Sequence, residues 1–126
     1  MKIRMIETDK APAAVGPYSQ AVKAGDLVFV SGQIPLAPGS AERVSEDVTD
    51  QTRQCLENLS AVLKAAGSSL EKVLKVTLYI QDMGDFQKIN EIYARFFPHH
   101  RPARACVEVA RLPKEAKVEI EAVAAV

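Results

Sequence analysis

Polar and apolar residues change period several times along the chain, and each change marks an element. Residues Lys2 to Ile6 alternate as a short strand would, and a turn-rich stretch from Thr8 to Pro17 follows. Tyr18 to Lys23 and Leu27 to Ser31 then read as two strands of a hairpin across Ala24-Gly25-Asp26, with Ser31-Gly32-Gln33 closing the second. Pro35 to Ser45 is a surface loop. From Asp47 to Ala66 the period becomes helical, with Val48, Thr52, Cys55, Leu56, Leu59, Val62, Leu63 and Ala66 on one stripe and Gly67 placed to end it. Val73 to Ile80, rich in β-branched residues, predicts an inner strand ending in the turn Gln81 to Asp85. A second helix is expected from about Asp85 to Phe97, with Phe86, Ile89, Asn90, Tyr93 and Phe97 inward and Pro98 stopping it. Two strands remain, Ala103 to Ala110 and Lys117 to Val126. This gives about six strands and two helices in one domain spanning 1–126. Two helices of this length cover one face of such a sheet, so the other face calls for self-association.

Composition narrows the function classes. The 126 residues are 48% hydrophobic and 25% charged, which is ordinary for a globular domain. Sixteen basic residues balance sixteen acidic ones, so the overall electrostatic attraction that most nucleic-acid binding relies on is missing. Cys55 and Cys106 are the only cysteines, with no CxxC pair and no histidine at metal-ligand spacing, which indicates neither a disulfide framework nor a metal site. No segment approaches about 20 consecutive apolar residues, and the first residues lack a leader pattern, so no membrane association and a cytoplasmic location are expected.

Charge inside the predicted strands is the strongest local signal of chemistry. Arg104 stands in Ala103 to Ala110, and Glu119 and Glu121 stand in Lys117 to Val126. A buried arginine keeps its proton and needs an anion to match it. Alternation puts Arg104, Cys106 and Glu108 on one face of their strand and Glu119 and Glu121 on one face of theirs. If the two strands are neighbours, Arg104 approaches a glutamate. From spacing alone the better reading is a structural salt bridge at an oligomer interface. The sharper reading is a pocket in which Arg104 clamps a small anion while a glutamate handles protons. Asn90 interrupts an apolar stripe as a hydrogen-bonding amide, Tyr18 reads as a core aromatic, Ser31 has no histidine to make it a nucleophile, and His99-His100 reads as a solvated loop.

Five segments taken together resemble the RidA family, also called YjgF/YER057c/UK114. They are Gly16-Pro17-Tyr18-Ser19-Gln20-Ala21, Val30-Ser31-Gly32-Gln33-Ile34-Pro35, Asn90-Glu91-Ile92-Tyr93, the run from Pro102 through Arg104 and Cys106 to Lys114, and Val118-Glu119-Ile120-Glu121-Ala122. The resemblance implies a chorismate-mutase-like α+β fold, a mixed sheet of about six strands with two helices on one face, assembled as a homotrimer with sites between subunits. It implies hydrolytic deamination of 2-iminobutanoate and 2-iminopropanoate, reactive enamine/imine intermediates, to 2-oxo acids and ammonia, without a cofactor or metal. Carried over by motif, Arg104 would bind the substrate carboxylate and the backbone of Cys106 would contact the imine nitrogen. Glu119 would orient or deprotonate water, and Tyr18, Ser31, Gly32 and Asn90 would shape the pocket. One departure stands before Pro102, where the loop is short and Arg101 replaces the aromatic frequent in the family. The alternative reading is a non-catalytic ligand-binding or regulatory trimer of the same fold, and RNA cleavage is disfavoured by the neutral charge.

Overall fold

A computed structural model describes all 126 residues. Six strands form one mixed sheet: β1 (Ile3–Ile6), β2 (Ala21–Ala24), β3 (Leu27–Gln33), β4 (Val73–Ile80), β5 (Ala103–Glu108) and β6 (Val118–Ala125). Their order across the sheet is β1-β2-β3-β6-β4-β5. All neighbours are antiparallel except β4 and β5, which run parallel as the two ends of a crossover through the second helix. The helices are α1 (Val48–Ala65) and α2 (Phe86–Phe96). The expected α+β architecture, a mixed sheet with two helices on one face, is what the chain adopts.

The α1 stripe is buried along its whole length, from Val48 through Leu56, Leu59 and Leu63 to Ala66. Burial of each such leucine contributes roughly 1.5–3 kcal/mol. Asp47 starts the helix by accepting the Thr49 N–H at 2.7 Å, and this bond holds the Asp47 carboxyl below its ordinary pKa. Against the helices the sheet presents Val28 and Val30 of β3, Val76, Leu78 and Ile80 of β4, and Val118, Ile120, Ala122 and Ala124 of β6, all buried. Along β6 burial alternates residue by residue without a break, so Glu119, Glu121 and Val123 point to the opposite, open face. Register adds Leu27 and Phe29 of β3 to that face, and on β1 Ile3 and Met5. Ile3 is 68% exposed, Met5 78% and Phe29 47%, so an apolar sheet surface lies uncovered in the single chain.

Polar residues in the core hold loops in place. The buried Gln20 side chain accepts the Thr8 N–H and donates to the carbonyls of Thr8 and Pro12, pinning the segment before β2. Gln51 donates to the Ser45 carbonyl and accepts the Lys117 N–H. Asn58 donates to the Ile34 and Leu36 carbonyls. Each amide satisfies backbone groups that a loop leaves unpaired. His99-His100 departs from a fully solvated loop, because His100 Nε2 donates to the Val73 carbonyl at 2.5 Å and ties this segment to the start of β4.

Candidate functional site

The candidate residues fall into two groups on opposite faces of the sheet. β5 is an edge strand, and β4 separates it from β6. In the parallel β4–β5 register Arg104 lies beside Val76 and Cys106 beside Leu78, so both point to the helix side. In the antiparallel β4–β6 register Glu119 pairs with Tyr79 and Glu121 with Thr77, on the open side. The expectation that Arg104 approaches Glu119 or Glu121 on a shared face therefore fails within one chain. Arg104 is also exposed, because its strand is an edge, and it belongs to none of the chain's three ion pairs, Arg43–Glu46, Arg53–Asp50 and Arg111–Glu115.

On the helix side, α2 builds a seat for the Arg104 guanidinium. Nη1 donates to Asn90 Oδ1 at 2.7 Å. The guanidinium carbon stands 4.8 Å from the Tyr93 ring centroid and 5.5 Å from that of Phe86. Phe86, Asn90 and Tyr93 follow one another at spacings of four and three, which puts them on one helix face. One hydrogen bond and two aromatic faces orient a planar cation whose other donors stay free. Tyr93 is buried, its hydroxyl has no hydrogen-bond partner, and burial raises its pKa against the opposing effect of Arg104. Asn90, Tyr93, Arg101, Pro102 and Arg104 line a cleft of about 640 Å³. Cys106 is half-buried against the core, and burial raises its thiol pKa although Arg104 acts the other way. A neutral thiol there is a poor nucleophile.

On the open side, Glu119 lies against the backbone of β3. The β3–β6 register shifts between Val30 and Gln33, which places Ser31 and Gly32 in an irregular stretch opposite the glutamate. A Cβ on Gly32 would stand 1.9 Å from Glu119 Oε2 and 2.7 Å from Cδ, so the carboxylate occupies space that only glycine leaves. Glu119 is half-buried, and its carboxyl pKa is raised, first by burial and then by the charge of Glu121. The neighbouring Tyr79 has a raised pKa as well, through burial first, with Glu121 and Glu119 adding to it. Ser31 Oγ donates to the Ser19 carbonyl at 2.6 Å and the Ser31 N–H to that of Gln20, which attaches the 18–20 segment to β3. Tyr18 is not a core aromatic: it is 54% exposed, and its hydroxyl accepts the Val15 N–H at 3.4 Å.

The residues of both groups are candidates in the sequence, where spacing sets Arg104 and a glutamate on one face rather than two; the aromatic seat under Arg104 is not among those candidates. Phe86 and Tyr93 read as core positions because their spacing is that of any inward stripe; the signal was the amide between them. Gln20, which holds the Tyr18 segment, likewise has no local pattern that marks it as a buried anchor. No three His, Cys, Asp or Glu side chains converge as a metal-binding group. No helix is long and apolar enough to cross a membrane.

Comparison with known proteins gives the chain its family. The family model described as Endoribonuclease L-PSP matches residues 8–126. A RutC family protein of Pyrococcus horikoshii is 56% identical over 120 residues, covering 95% of each chain. A 2-iminobutanoate/2-iminopropanoate deaminase of Salmonella typhimurium is 49% identical over 124 residues, covering 96% of each. The solved structure of Escherichia coli TdcF with bound serine matches with a TM-score of 0.93 at 50% identity, over 98% of each chain. With Arg104, Asn90, Glu119 and Gly32 all inside the matched span, this chain belongs to the Endoribonuclease L-PSP family, the group also known as RidA/YjgF.

Proposed function

We propose that this protein is a reactive-intermediate deaminase that hydrolyses short 2-imino acids, 2-iminobutanoate and 2-iminopropanoate, to 2-oxo acids and ammonia. The observation that carries the reading is Arg104, an oriented guanidinium with no carboxylate partner, facing a cleft. Its free donors match a carboxylate in plane, a task for which a lysine ammonium has the wrong geometry. The names of about half-identical relatives over nearly the full chain support the same reaction class.

The chemistry asked of the site is modest. The oxygen of a water molecule bonds to the imine carbon, the carbon–nitrogen bond breaks, and ammonia leaves as the carbinol oxygen becomes a carbonyl. Both water protons end on nitrogen. Glu119, with a raised pKa, is suited to take a proton from the attacking water and return it to the departing nitrogen. Holding water against the imine carbon accounts for much of the expected acceleration. In this reading Ser31, Gly32 and Tyr18 would shape the Glu119 side of the pocket, while Asn90 and the backbone of Cys106 would shape the Arg104 side.

These two sides lie on opposite faces of one sheet, so a complete pocket needs a second copy. We infer a homotrimer in which the β5 edge of one subunit meets the open face of the next. The exposed Ile3, Met5 and Phe29 support burial of that face. An RNA-cleaving reading has less support, since the chain has no net charge and its candidate residues recognise a carboxylate rather than a phosphate backbone. The test is to generate 2-iminobutanoate in situ with a threonine dehydratase and follow 2-oxobutanoate formation with and without the protein. Acceleration that is lost in Arg104→Ala is the expected result. No acceleration would leave a ligand-binding trimer as the reading.

A further inference from the structure

Arg104 is not the only arginine in its cleft. Arg101 lines the same cavity, is exposed, and takes part in none of the chain's ion pairs or side-chain hydrogen bonds. Residues three apart on a regular strand would point to opposite faces. Arg101 escapes that rule because it lies outside the ladder: β5 begins at Ala103, and Pro102 interrupts the backbone between the two arginines. The other lining residues are Asn90, Tyr93, Ala94, Phe97, Pro98 and Pro102, with no acidic side chain among them. The cleft thus holds two positive charges that nothing in the chain neutralises.

A monocarboxylate substrate satisfies only one of them. Two guanidiniums brought to one cavity are best matched by two anionic groups on one small molecule, since each arginine can offer a pair of parallel donors to a carboxylate. We propose that Arg101 is a specificity-determining residue that extends the substrate range to 2-imino acids with a second carboxylate on the side chain. Arg104 holds the carboxylate next to the imine, and Arg101 holds the distal one. This rests on the deaminase reading for its chemistry, but the recognition of a diacid does not. Oxidation of an acidic amino acid to its imino acid is the class of reaction that would supply such a substrate.

The test compares 2-iminosuccinate, generated in situ from aspartate by an amino-acid oxidase, with 2-iminobutanoate, for the wild type, Arg101→Ala and Arg101→Lys. The readout is the ratio of kcat/KM for the diacid imine to that for the monoacid imine. Arg101→Ala is expected to lower this ratio at least about tenfold, with the loss residing mainly in KM, and Arg101→Lys to recover part of it. An unchanged ratio overturns the proposal while leaving the deaminase reading intact. If neither imine is hydrolysed, the deaminase reading falls and binding decides. Calorimetry with the stable 2-oxoglutarate and 2-oxobutanoate is then expected to show a preference for the diacid that Arg101→Ala removes, and no preference overturns the proposal. Size-exclusion chromatography accompanies each variant. If Arg101→Ala dissociates the protein, Arg101 serves assembly and the proposal is wrong.

Discussion

The Glu119 carboxylate rests on the backbone of Gly32, so close that a methyl group at position 32 would have its carbon 1.9 Å from Oε2. Gly32 does not have the positive φ that favours glycine; the requirement comes from the opposing side chain alone. Gly32→Ala is therefore expected to fold and to push Glu119 out of position. A displacement of this kind typically costs on the order of 100-fold in rate. Steady-state assay of imine hydrolysis alongside thermal unfolding checks this, and wild-type activity in Gly32→Ala would remove Glu119 from the mechanism.

Glu119 also links catalysis to pH. Its raised pKa means that the folded protein holds this proton more tightly than the unfolded chain does. The stability this confers is complete below the ordinary glutamate pKa and is lost as pH rises through the raised folded value. Glu119→Gln removes the titration. Its melting temperature is expected to exceed that of the wild type near neutral pH, with the gap closing on acidification. Activity runs the other way, since water activation needs the carboxylate form. The acid limb of kcat/KM in the wild type is expected above the ordinary glutamate pKa and absent from the residual activity of Glu119→Gln. A limb at or below the ordinary glutamate pKa, or one that persists in Glu119→Gln, would show that another group controls the rate.

Local pattern and strand order explain which features were legible in the sequence. The α1 stripe was readable because every member, from Val48 to Ala66, is set by a 3.6-residue period and buried by the same sheet. Glu119 and Glu121 on one face followed from alternation, and β6 keeps that alternation unbroken. Arg104 and Glu119 were misplaced relative to each other because β4 inserts between β5 and β6, a long-range pairing that no local pattern encodes. The same edge position exposes Arg104, whose sequence neighbours Ala103, Ala105 and Val107 read as core. Tyr18 reads as a core aromatic because its type is usually buried, whereas Gln20 two residues later does the anchoring.

Asn90 and Tyr93 orient Arg104, and the two contacts are separable. Asn90→Ala removes the 2.7 Å hydrogen bond and leaves the aromatic seat, so the guanidinium keeps its charge but gains rotational freedom. A hydrogen bond to a charged group is worth about 1.5–3 kcal/mol, which sets an expected loss in kcat/KM of roughly 10- to 150-fold. Arg104→Lys loses the planar fork as well and is expected to be worse than Asn90→Ala. Kinetics of both variants with 2-iminobutanoate provide the check. Equal activity of Arg104→Lys and wild type would mean that charge alone suffices and that bidentate recognition plays no part.

The open sheet face ties activity to assembly. Phe29 is 47% exposed beside Val22 on β2 and Val123 on β6, in the middle of an apolar surface that a solitary chain would show to water. Phe29→Asp places a charge there without touching the helix-side core, since Val28 and Val30 point the other way. The isolated subunit is expected to keep its secondary structure but sediment as a monomer. Because Arg104 and Glu119 lie on opposite faces of that subunit, the monomer is expected to lose imine hydrolysis although both residues are intact. Analytical ultracentrifugation and the imine assay on the same sample separate the possibilities. A monomer with full activity would mean that one chain suffices, which the separation of the two groups by β4 does not permit without rearrangement of the sheet.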